Sequence, residues 1–160
     1  MSYENDTVYQ AVKAKFEDAL EEIKEKPMLT FYIKYEHKDK LKEIAQVIAD
    51  QIGTSYGETC SAVDYPDKQI FDVFWFIWSF DTRKMYAIRT RVPYSSPKVP
   101  SLVEIWPSLN WHERETHEMF GIEFEGHPNL APLLLEDYED IPQYPLGKSV
   151  TLEKRKTRHI

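Results

Sequence analysis

The densest group of side chains able to do chemistry is Trp111-His112-Glu113-Arg114-Glu115-Thr116-His117-Glu118. Histidines mixed with glutamates invite comparison with zinc peptidases, in which two His four residues apart grip one metal from one helix face. His112 and His117 are five apart, which turns them about 140° from one another around a helix axis. Glu113 and His117 do share a face, so a free-standing metal-dependent enzyme using Glu113, His117 and His127 is one reading. Two ligands without a third at a defined spacing fall short of a zinc site. The other readings are a solvated helix with Glu113-His117 and Arg114-Glu118 pairs, each worth about 0.2–0.5 kcal/mol, and a charged docking surface. The residues alone leave these open.

Other chemical signatures fail on specific positions. Gly147-Lys148-Ser149 has the ending of a phosphate-binding loop, yet the glycine needed five residues earlier is Pro142, which removes a backbone donor. Neither a GxGxxG nor a GxSxG sequence occurs. Cys60 is the single cysteine, so no internal disulfide and no four-thiolate iron-sulfur site can be built from this chain. Its most economical reading is a buried structural thiol. Glu136-Asp137 and Glu139-Asp140 on a Pro-flanked segment read as a solvated face.

The 160 residues, 42% hydrophobic and 14% aromatic, fit one folded domain with a substantial core. The formal charge is −7, but residues 148 to 160 hold five Lys or Arg against one Glu, a basic end on an acidic body. That balance disfavours nucleic acid and favours a protein or anionic surface as partner. The longest apolar run, Ile70 to Phe80, has 11 residues and contains Asp72, whereas a membrane helix needs about 20. The first ten residues have neither a basic segment nor an apolar core, so no secretory signal and a cytoplasmic chain are expected. Asn5-Asp6-Thr7 matches a glycosylation sequon and reads instead as a helix cap.

The elements that must position the charged cluster follow from periodicity. Apolar residues at three- and four-residue steps predict helices over 7–25, ended by Pro27, and over 39–52, ended by Gly53. A last helix is expected over 110–120, ended by Gly121. A further helical stretch is expected around Leu102 to Leu109, interrupted by Pro107. Alternation predicts a half-buried strand over 28–36 and another over 60–65. Ile70 to Phe80 reads as a central strand covered on both faces, forming a long hairpin with Met85 to Val92. Some of its aromatics, with Tyr86, are also candidates for facing a partner. The expectation is an α+β fold: helices packed on a mixed or antiparallel sheet in residues 1–126, then an extended Pro-rich C-terminal arm over 127–160 that contacts partners.

The stretch from Trp111 through Phe120-Gly121-Ile122-Glu123-Phe124-Glu125 to Gly126-His127-Pro128-Asn129-Leu130 closely resembles the signature of the "30 kDa subunit" family of complex I. The shared pattern is the Glu113-Arg114-Glu115 core, an acid at Glu118, an apolar-aromatic-Gly step and Gly-His-Pro. Tyr144-Pro145-Leu146-Gly147-Lys148 is similar to a later step of the family. One departure is Asn129-Leu130-Ala131-Pro132, where the family commonly carries an Arg. The resemblance implies a cofactor-free accessory subunit in the peripheral arm of a membrane-associated redox complex, on the cytoplasmic face of the cell membrane. Its short form points to the membrane-bound hydrogenase branch, with a respiratory NADH:quinone oxidoreductase as the alternative. The implied partners are the large subunit similar to nickel-iron hydrogenases and a neighbouring iron-sulfur subunit, which carry the iron-sulfur clusters and any nickel-iron centre. No catalytic, cofactor-binding or metal residue is expected here. The implied contact residues are Trp111, Glu113, Arg114, Glu115, Glu118, Phe120, Gly121, Gly126, His127, Pro128, Lys148, Lys154 and Arg155. Arg114 is expected to hold a partner carboxylate by two points. A soluble adaptor that binds one unrelated partner through its aromatic sheet is a rival of a different class.

Overall fold

Asp6 opens the first element by accepting the Val8 N–H at 3.0 Å, which caps helix α1 (Thr7–Phe16). The structure is a computed structural model and describes residues 6 to 135 and 141 to 151. The helix predicted to reach residue 25 stops at Phe16, and after one 3-10 turn Leu20–Lys24 forms strand β1. Tertiary pairing overrides helical spacing here, because β1 pairs antiparallel with β2 (Leu29–Ile33), with a bulge at Glu21, and sets Glu21 and Glu22 beside Arg91. Helix α2 (Leu41–Ile52) buries Leu41, Ile44, Ala45, Ile48 and Ile52, and Gly53 ends it at φ 67° with its N–H on the Ala49 carbonyl.

Three longer strands follow: β3 (Ser55–Tyr65), β4 (Ile70–Ser79) and β5 (Lys84–Pro93). The sheet order is β1-β2-β5-β4-β3, with β2 and β5 parallel and the other neighbours antiparallel. The α+β class with a mixed sheet is thus the observed architecture. Flanked on both sides, β2 is buried along all five residues instead of half-buried as its alternation suggested. A parallel pair of short strands, β6 (Lys98–Pro100) and β7 (Glu123–Glu125), brackets helix α3 (Leu109–Phe120). Residues 102 to 108 form turns, not a helix: the Ile105 and Trp106 N–H groups both donate to the Leu102 carbonyl, and Pro107 has no N–H to continue the pattern.

The helices gather on one side of the sheet. Phe71, Val73, Trp75 and Ile77 of β4 face them, whereas Phe74, Phe76 and Trp78 lie on the other face and are half-buried. The strand is therefore not covered on both faces. Its outer aromatics are shielded by one another and by cations: Phe74 and Phe76 stack at 4.8 Å, and the Arg89 guanidinium lies 5.3 Å from both the Phe74 and Tyr32 rings. Tyr86, a sequence candidate for an outward aromatic, is 1% exposed, while Phe80, counted with the apolar run, is 56% exposed.

Candidate partner-docking site on the third helix and the arm

Helix α3 lies so close to β3 that only glycine fits at position 57, where a Cβ would sit 2.4 Å from Leu109 Cγ. The Ser108 hydroxyl donates to the Gly57 carbonyl at 2.9 Å, and the Thr116 hydroxyl lies 3.0 Å from the Cys60 carbonyl and 2.7 Å from that of His112. This seating drives Glu113 inward. The Glu113 side chain is fully buried, and its Oε1 accepts the Trp75 indole N–H at 3.1 Å and the Leu102 N–H at 2.9 Å. Its Oε2 has no hydrogen-bond partner. Burial pushes the Glu113 carboxyl up to about 7, against the bonds from Leu102 and Trp75 that favour the anion. Burial likewise raises the neighbouring Cys60 thiol well above its ordinary value.

The two salt bridges that helical spacing offered are not formed. His117 places Nδ1 2.8 Å from the Ile122 carbonyl rather than on Glu113. Arg114 and Glu118 instead hold the arm, one turn apart. Arg114 donates from Nε to the Ala131 carbonyl at 3.0 Å and from Nη2 to the Pro132 carbonyl at 2.7 Å. Glu118 accepts the N–H groups of Leu133, Leu134 and Leu135 at 3.2, 2.8 and 2.9 Å. Arg114 thus makes a two-point contact with the arm's own carbonyls.

Further bonds fix the path of the arm. His127 lies 3.2 Å by Nε2 from the Asn110 carbonyl and accepts the Asn129 N–H at Nδ1 at 3.0 Å, so the neutral ring with its proton on Nε2 satisfies both. Burial lowers its pKa, favouring that neutral form. Gly121, at φ 77°, meets the Tyr144 ring where a Cβ would approach it to 2.9 Å. The Leu146 N–H donates to the Met119 carbonyl at 3.1 Å, and the Lys148 N–H to Asp64 Oδ2 at 2.7 Å. The other oxygen of Asp64 accepts the Tyr94 hydroxyl. Residues 128–135 and 141–151 contain no helix or strand, and these tethers hold them against α3 and the end of β3.

What remains outward is apolar and charged together. Trp111 is 62% exposed with the Arg114 guanidinium 5.6 Å from its ring, and Leu134, Tyr144 and Leu146 are exposed on the arm. Glu115, Pro128, Gly126 and Lys148 are also exposed, whereas Phe120 is half-buried against Phe71. Gly126 has φ 83°, and Lys42 Nζ would lie 3.4 Å from a Cβ there. Lys154 and Arg155, like Glu136-Asp137 and Glu139-Asp140, lie outside the described residues. Among the described residues no three His, Cys, Asp or Glu could hold a metal ion, and Glu113, His117 and His127 are engaged separately. Sequence reasoning missed Asp64 and Tyr94 as arm anchors. The signal was the inward register Cys60, Ala62, Asp64, a carboxylate at a core position.

Helix, Gly-His-Pro turn and tethered arm define a scaffold that grips its own chain and displays an apolar surface. The family model of the 30 kDa subunit of respiratory-chain NADH dehydrogenase matches residues 35–156, and the chain belongs to this family. It is 32% identical to a subunit of the F(420)H(2) dehydrogenase of Methanosarcina mazei over 144 residues, 89% of each chain. To a subunit of the NADH-quinone oxidoreductase of Roseiflexus castenholzii it is 36% identical over 157 residues, 95% of this chain and 87% of that one. The corresponding protein of Chloroherpeton thalassium is longer, and this chain spans 62% of it at 30% identity. Among solved structures, a chain of the membrane-bound sulfane sulfur reductase, an archaeal respiratory membrane complex, shares the fold with a TM-score of 0.68 over 86% of this chain and 80% of that one, at 20% identity. The trypsin-resistant fragment of Nqo5 matches with a TM-score of 0.56 and 26% identity over 68% of this chain and 89% of the fragment. No helix among the described residues is long and apolar enough to cross a membrane.

Proposed function

We propose that the chain is a cofactor-free accessory subunit in the peripheral arm of a complex I-like redox complex, held at the cytoplasmic face of the membrane by its partners. The observation that carries this reading is the family match over residues 35–156. The geometry supports it: the side chains of the signature are spent on building a surface, with Glu113 tying α3 to Trp75 and Arg114 and Glu118 laying the arm along the helix. On this reading the exposed Trp111, Leu134, Tyr144 and Leu146 meet the large hydrogenase-like subunit, with an iron-sulfur subunit beside it. Iron-sulfur clusters, and a nickel-iron centre on the hydrogenase branch, belong to those partners.

The branch is a second question. The candidates are a membrane-bound hydrogenase and a respiratory NADH:quinone oxidoreductase; the relatives matched over most of both chains are subunits of an F(420)H(2) dehydrogenase and of an NADH-quinone oxidoreductase. The test is to tag the chain in its native host, solubilise membranes gently, identify what co-purifies, and assay hydrogen evolution and quinone reduction on the same material. Recovery of a hydrogenase-like large subunit with iron-sulfur partners is the expected result, and the assay assigns the branch. Recovery of the tagged chain alone in the soluble fraction would overturn the proposal.

A further inference from the structure

The face of the sheet away from the helices carries a second surface, whose lining among the described residues includes none of the arm. Tyr56 of β3, Trp78 of β4 and Met85 of β5 are direct neighbours across the strands and form one row on that face. Together with Glu58 and Phe80 they line an open groove of 490 Å³. Tyr56 and Phe80 are 45% and 56% exposed, large values for aromatics that could have been packed inward.

Glu58 follows Tyr56 by two residues on β3 and so lies on the same face, beside an irregularity in the ladder. The ladder steps from Gly57 opposite Ile77 to Cys60 opposite Trp75, three residues on β3 against two on β4. Gly57 and Cys60 stay on the helix side, and the additional residue places Glu58 and Thr59 consecutively beyond them. The Glu58 carboxylate thus lies with three aromatic rings, Tyr56, Trp78 and Phe80, in the lining of the groove. Glu58 takes no hydrogen bond or ion pair among the described residues, and no basic side chain lines the groove. The nearby Lys84 is already paired with Asp6 at 2.9 Å. Aromatic faces with one unpaired carboxylate form a site for a cation carried on an apolar stem: the rings take the stem and the edge of the charge, and the carboxylate takes the head group.

We propose that this groove docks a Lys- or Arg-bearing segment of a neighbouring subunit, a second interface on the face opposite the α3 surface. The proposal rests on the subunit reading above. Its test replaces Tyr56 with the photo-cross-linking residue p-benzoylphenylalanine in the full tagged chain, irradiates host membranes, and maps the adduct in the purified complex. The expected adduct joins position 56 to a partner-subunit segment that carries a Lys or Arg. Glu58→Lys, on the exposed face, should lower the adduct yield roughly tenfold, Glu58→Gln should lower it less, and changing the mapped partner cation to Glu should restore the yield in the Glu58→Lys background. Circular dichroism of the variants verifies that the fold is kept. An intact complex without an adduct, an adduct to lipid or to a second copy of this chain, or a yield indifferent to Glu58→Lys overturns the groove alone. A tagged chain recovered without partners overturns the subunit reading and this proposal with it.

Discussion

Glu113 is a residue whose chemistry departs far from its ordinary behaviour. Its carboxyl titrates near 7 in the fold against 4.5 when unperturbed, because burial disfavours the anion. A carboxyl raised on folding contributes stability that is complete below pH 4.5 and is lost as pH climbs through about 7. The loss expected above that range is about 3 kcal/mol. Denaturant melts at pH 5 and pH 8.5 should show the fall, and Glu113→Gln should flatten it, since an amide keeps the acceptor for Trp75 and Leu102 and carries no charge. Lys42, the Cys60 thiol and Ser101 are the polar groups acting on the same carboxyl or beside it, so the flattening must survive Lys42→Met. Arg114 is tested differently. Arg114→Lys cannot reproduce the fork onto the Ala131 and Pro132 carbonyls, and hydrogen exchange of the Leu133 to Leu135 amides should quicken in it. Arg114→Ala should leave the melt of the domain within about 1 kcal/mol of the parent, because the bonds it removes are exposed, while complex assembly weakens. Full assembly and activity in Arg114→Ala would count against the arm as a docking device.

At the scale of elements, the contact between α3 and β3 makes the sharpest claim. Gly57→Ala drives a methyl into Leu109, and overpacking of this kind should cost about 1–3 kcal/mol. Leu109→Ala alone opens a cavity, so a double-mutant cycle on thermal melts should give a pair less destabilised than the sum of its parts. Additive costs would show that the close approach does not set the seating of the helix. Apolar periodicity located α2 within two residues, because that helix keeps an uninterrupted apolar stripe and ends at a glycine, whereas α3 turns Glu113 and Thr116 inward beside Leu109 and is marked in the sequence by its terminal Gly121. It failed at Leu20–Lys24, whose spacing suits a helix equally well and whose strand state depends on partners in β2 and on Arg91 far along the chain. It also failed to orient the aromatic run, since Phe74 and Trp75 are chemically alike and only the helix positions decide which faces inward. Of the site, the signature residues were legible as a cluster. Their objects were not, because Arg114 and Glu118 bind backbone groups that no side-chain pattern encodes.

Together the described residues form a one-sided sandwich: helices and the described part of the arm on one face, aromatic rings bridged by arginines on the other. That arrangement leaves two separate surfaces, an apolar one around Trp111 and the arm and an aromatic groove with a lone carboxylate at Glu58. Each fails or survives on its own variant, which is why Arg114 and Glu58 are tested in the same purified complex. Between them runs β3, an edge of the sheet along which α3 lays the Ser108 and Thr116 hydroxyls on the Gly57 and Cys60 carbonyls. An unpaired edge strand is a template on which another chain can add a strand. With the Gly57 carbonyl taken by Ser108, the Thr116 side chain packed beside that of Cys60 and a bulge breaking the ladder between them, β3 presents a poor template to other copies of the chain. The same contact that seats the helix thus guards the β3 edge of the sheet against pairing with another copy.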